Sequence, residues 1–62
     1  MSRDEILLEL HKNVQENGTV QFNFSSNLAV KKQELEILKS LENDFYIQRL
    51  TIALGYAIYR IL

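Results

Sequence analysis

The chain has no cysteine, one histidine and only two glycines in 62 residues. Without thiols there are no disulfides and no thiolate metal sites. A single imidazole cannot make a zinc site alone, and no carboxylate cluster stands ready to complete one. No cofactor or metal is expected. Gly18 and Gly55 stand apart, so no glycine-rich loop can cradle a phosphate. An excess of one charge is also missing: seven Lys and Arg stand against eight Asp and Glu. That balance gives no long-range steering toward polyanions. Long apolar runs are lacking too. The most apolar stretch, Leu50–Tyr59, meets Arg60 well short of the ~20 residues a helical span needs. Asp4, Glu5 and Glu9 interrupt the stretch that a secretory signal would keep apolar. The expectation is a cytoplasmic protein with no membrane contact, since a cysteine-free chain suits a reducing compartment.

What is present is a 47% apolar fraction, ordinary for a folded domain and too high for a disordered one. A single small domain, residues 1–62, is expected. A fold of this size buries only roughly 60% of its extended surface. With disulfides excluded, it needs a tight core or self-association.

The clearest local signal is Lys31–Asn43 with Phe45 beyond it. Leu35, Leu38, Leu41 and Phe45 recur at spacings of three and four, the stripe of a helix facing a core. Glu, Lys, Gln and Leu fill most other positions, and all favour helix. Upstream, Ile6, Leu10 and Val14, with Leu7 beside them, predict a helix over residues 3–17. Ser2 and Glu5 stand in capping-box positions, and Asn17-Gly18 offers a left-handed stop. Leu8 falls off the stripe. Over residues 19–24 the period changes to two: Val20, Phe22 and Phe24 alternate with Gln21 and Asn23, a half-buried strand. Ser25-Ser26-Asn27 reads as a turn and helix cap, with the central helix starting anywhere from Leu28 to Lys31.

Residues 45–62 admit two readings. As a helix, they align Ile47, Leu50, Leu54, Ile58 and Ile61. As strands, Tyr46–Ile52 and Tyr56–Ile61 flank an Ala53-Leu54-Gly55 loop, with Gly55 supplying a positive φ. A third helix would leave the strand at 19–24 with no pairing partner, which favours the hairpin. The expected fold is α+β in two layers: helix, strand, helix, strand, strand. A three-stranded antiparallel sheet is covered on one face by two helices.

The run from Leu35 through Leu50, followed by Gly55–Ile61, resembles the second half of a winged-helix domain. Leu38, Leu41, Glu42, Phe45, Tyr46 and Ile47 match the family's leucine-bearing helix, its polar step and its aromatic-Ile strand opening. Tyr56, Ile58 and Tyr59 fall on the returning strand of its wing. The family's middle helix has no counterpart beyond Ser25–Val30, and this wing has no basic tip. The resemblance implies a DNA-binding transcriptional regulator, with Lys32 and Lys39 on the groove-facing helix and Arg49 at phosphate. Glu36 lies between the two lysines and opposes that role.

Catalysis has little support. His11 borders the first helix's stripe, and none of Ser25, Ser26 and Ser40 has a nucleophile setting. Glu34, Glu36 and Glu42 read as the solvated face of the central helix, with Glu34 closest to its apolar arc. The chain is expected to be no enzyme and to take no small-molecule substrate. Protein interaction is the leading expectation. On a hairpin, Tyr46 and Tyr56 share a face with Leu50, Ile52 and Ile58. The opposite face carries Ile47, Thr51, Ala53, Ala57, Tyr59 and Ile61. Two helices cover only one face, so the other is an apolar surplus suited to a homodimer or a protein partner. Tyr46, Leu50, Ile52, Tyr56, Ile58, Tyr59 and Arg60 form the expected surface, because tyrosine and arginine are frequent anchors. The reading is a small regulatory or adaptor protein acting as a homodimer.

Overall fold

The structure, a computed structural model, describes all 62 residues. Its elements follow the expected order: α1 (Arg3–Asn13), β1 (Thr19–Asn23), α2 (Leu28–Asn43), β2 (Ile47–Ile52) and β3 (Tyr56–Ile61). The three strands form one antiparallel sheet in the order β1-β3-β2. Both helices lie on one face of it. Ile6 and Leu10 of α1 and Leu38 and Leu41 of α2 join Val20, Phe22, Ile47, Ala57 and Tyr59 in a single buried cluster. Residues 45–62 thus hold the hairpin and not a third helix. No helix is long and apolar enough to cross a membrane.

The start of α1 follows from its sequence. The Ser2 side chain accepts from Glu5 N–H while Ser2 N–H donates to the Glu5 carboxylate. These bonds, backbone first, hold the Glu5 carboxyl below the usual range. The helix stops at Asn13, four residues earlier than the Asn17-Gly18 stop predicts. Val14 is already extended, and Gln15 N–H turns away to donate to Thr19 O. Gly18, at φ 81°, serves the turn into β1 and does not cap the helix.

Asn27 caps α2 by accepting from Ala29 and Val30 N–H, so the helix begins at the early limit of the predicted range. Lys31, at the unfavourable positive end of the helix dipole, donates its ammonium to Leu54 O. It also sits 5.4 Å from the Phe24 ring centre. The loop before α2 is fixed from within the helix: Glu34 is buried and accepts from Ser25 N–H at 2.8 Å. Its place on a solvated face is therefore corrected. A carboxylate inside a small domain is tolerated because it meets a donor.

The end of α2 departs most from expectation. Phe45 N–H donates to Glu42 O and Tyr46 N–H to Leu41 O. That is a Schellman closure, in which the first residue past the cap takes a left-handed conformation. Phe45 is that residue, at φ 63°. It is 81% exposed, not the fourth member of the core stripe. Gly55, by contrast, does not adopt a positive φ, and a Cβ there would meet nothing within 4 Å. The hairpin instead closes through Ala53 N–H to Tyr56 O.

Candidate interaction surface

β2 decides what the surface looks like. Ile47 is buried, Gln48 is exposed, and Arg49 lies opposite buried Tyr59 on the helix-facing side. A bulge follows: the register passes from Arg49↔Tyr59 to Thr51↔Ile58, leaving Leu50 without a partner of its own. After the bulge Ile52 pairs with Ala57 and so returns to the helix-facing side.

The predicted surface therefore divides. Leu50, Tyr56, Ile58 and Arg60 belong to the open face of the sheet, beside Gln21, Asn23 and Gln48 of the flanking strands. Ile58 is partly covered, while Leu50 and Tyr56 are about two-fifths exposed, at 41% and 38%. Ile52 is half exposed but sits on the other side, so the predicted grouping of Ile52 with Tyr56 and Ile58 is corrected. Thr51 takes the opposite correction. Tyr59 is removed from the surface altogether, since it is 2% exposed in the centre of the core. Tyr46 precedes β2, with the Arg3 guanidinium 5.4 Å from its ring centre and Arg3 paired with Asp44. It thus belongs to the end of the helices, away from the open sheet face.

Two recesses flank β2 on the side of α2. One, of about 440 Å³, is lined by Glu42, Phe45, Ile47, Gln48, Arg49 and Leu62. The other, of about 280 Å³, is lined by Leu35, Lys39, Glu42, Arg49, Ile52 and Tyr59. Glu42 and Arg49 belong to both and form the ridge between them. Glu42 Oε1 is closed off from solvent and has no hydrogen-bond partner. The Arg49 Nε is 3.7 Å away, an ion pair without a hydrogen bond. Burial, with the nearby Glu42 charge, pushes the Tyr59 phenol up to about 12.

Glu42, Phe45 and Leu62 line the first recess and were missed by sequence reasoning. The Asn43-Asp44 pair was the available signal for Phe45, because a helix ending there leaves residue 45 in the left-handed position. Nothing in the pattern marks Glu42, whose burial depends on Arg49 standing opposite. Of the predicted nucleic-acid contacts, Lys32 and Lys39 are exposed on α2, and Arg49 is turned toward Glu42. His11 is exposed in the last turn of α1 and lines neither recess.

No family model matches this chain, and neither a curated protein nor a solved structure matches it.

Proposed function

We propose that the protein is a small non-enzymatic regulator or adaptor that works through protein–protein contacts, as a homodimer. The observation that carries this reading is Phe45. A bulky side chain in the left-handed region costs of order 1–3 kcal/mol. The position asks for Gly or Asn. The ring is nevertheless 81% exposed, so its own core gives little back. A residue that breaks a local rule without an intramolecular gain is where function is expected. Leu62, 62% exposed, lines the same recess, and Ile52, half exposed, lines the adjoining one. Apolar groups gathered along a groove, with charged groups among them, make a surface that a protein partner can dry. The cysteine-free chain suits the cytoplasm as the place where it works.

Phe45→Gly separates the two roles of this residue. Relief of strain exceeds the added entropy of the unfolded chain, and stability rises by about 1 kcal/mol. Self-association, read by sedimentation at tens of micromolar, weakens at the same time. A variant that is less stable and equally associated would defeat the reading.

A second reading is a DNA-binding regulator of winged-helix type. It is favoured by the strand order, in which β1 joins β3 beside a terminal hairpin, and by the exposed Lys32 and Lys39 seven positions apart on α2. Its test is a low-salt titration with duplex DNA. Chemical-shift changes at Lys32 and Lys39 support it, and unchanged spectra dispose of it.

A further inference from the structure

We infer that two copies of the chain join along the free edge of β2, about a two-fold axis beside Arg49, each copy's Arg49 reaching the other's Glu42. This rests on the homodimer reading above and says where that dimer is built.

β2 is hydrogen-bonded to β3 alone, so its other edge presents unpaired N–H and C=O groups. Beside that edge run the two recesses, with the Glu42–Arg49 ridge between them. Along the groove the order is apolar wall, partly buried carboxylate, apolar wall: Phe45 and Leu62, then Glu42, then Leu35 and Ile52. Of the helix-facing side chains of β2, Ile47 is held in its own core, while Arg49 and Ile52 are half exposed at this edge. An antiparallel second copy meets the groove with its own β2, and the two-fold axis repeats every contact, so the interface is self-complementary. Ile52 of the second copy then approaches the Phe45 recess, and Arg49 falls against Glu42.

Electrostatics decide the occupant. Glu42 Oε1 is sealed from water and lacks a donor. The Glu42 side chain as a whole keeps 23% of its surface, and a second copy's arginine meets the carboxylate there with a charge-assisted hydrogen bond. Within its own copy the Arg49 Nε stays at 3.7 Å, and the Arg49 side chain is half exposed. Its outward donors are free for a neighbour. Two arginines meeting at the axis would repel, but two Glu42 carboxylates flank them and the quartet is neutral. Lys39, exposed at the rim, remains in water.

The bulge fits this arrangement. A bulge ordinarily discourages edge pairing by adding twist. Here it also turns Ile52 to the helix side. Without it, strict alternation would place Ile52 on the open face and leave the Phe45 recess without an apolar counterpart. The contact is small, so it belongs to the weaker class of interfaces.

Charge exchange tests the inference. In Glu42→Arg the site holds only arginines, and in Arg49→Glu only carboxylates. Each variant alone, its fold checked by circular dichroism, is expected to self-associate at least about tenfold more weakly than the wild type. An equimolar mixture restores the dimer, because each carboxylate then faces an arginine of the other chain. In the wild type, amide exchange along β2 slows as concentration rises, which reads the same edge even if a variant fails to fold. Three results overturn the inference. Folded single variants that dimerise like the wild type show the interface to be elsewhere, with the homodimer standing. Folded variants that remain monomeric when mixed refute the Glu42–Arg49 exchange. A wild type that is monomeric at tens of micromolar removes the homodimer itself.

Discussion

Leu41→Ala lowers the urea midpoint by about half. Leu41 has no exposed surface and lies where α2 meets the sheet. Its carbonyl also receives Tyr46 N–H in the closure of the helix. Deleting a fully buried leucine side chain costs about 2–5 kcal/mol, from lost transfer energy and the cavity left behind. A domain of 62 residues has roughly 3–9 kcal/mol to lose at the usual 0.05–0.15 kcal/mol per residue. The cost is therefore about half of the stability at the middle of both ranges. Leu8→Ala is the comparison. That leucine is 71% exposed on α1, so its loss changes stability by no more than about 0.5 kcal/mol. Urea denaturation at fixed protein concentration measures both, since association would add a concentration-dependent term. Equal midpoints for the two variants would contradict the core as described.

The second large effect is alkaline. The Tyr59 phenol is raised from 10.0 to about 12, first by burial and then by Glu42. The neutral form is the one the folded state prefers. Its contribution is complete below the unfolded value and disappears as pH climbs through the folded one. Stability therefore falls between about pH 10 and pH 12, by roughly 2–3 kcal/mol across the window. Tyr59→Phe keeps the ring in the core and removes the ionisable group. Its unfolding midpoint, followed by circular dichroism in urea, flattens over that window, and the phenolate absorbance step near pH 12 disappears. An unchanged slope in the variant would mean that another group drives the alkaline transition.

The regular part of this fold was legible, and the irregular part was not. Leu35, Leu38 and Leu41 announce α2 because a helix repeats every 3.6 residues. Val20 and Phe22 announce β1 because a strand alternates. The hairpin followed from a shortage, since a lone strand needs a partner. The failures sit at the departures from period. Phe45 continued the spacing of the α2 stripe, but a helix that has already closed at Asn43 carries its next residue out to solvent. Ile52 continued the alternation of β2, but one bulged residue moved it to the other face. Tyr59 looked like a surface anchor because its chemistry suits one. Its burial is decided by the register with Val20 and Arg49, which a single chain read linearly does not contain. Glu34 and Glu42 were placed in solvent by helix geometry alone. Their partners, Ser25 N–H and Arg49, come from other elements.

The strand order has a consequence in time. β1 and β2 never touch as a pair; β3 lies between them and bonds to both. A ribosome that has delivered α1, β1, α2 and β2 has made two helices and two strands with nothing to join. No sheet can exist until residues 56–61 have left the exit tunnel. Folding during synthesis is therefore deferred to the arrival of one six-residue segment. Until then Val20, Phe22 and Ile47 remain open to whatever else is nearby, including the same strands of a neighbouring nascent chain.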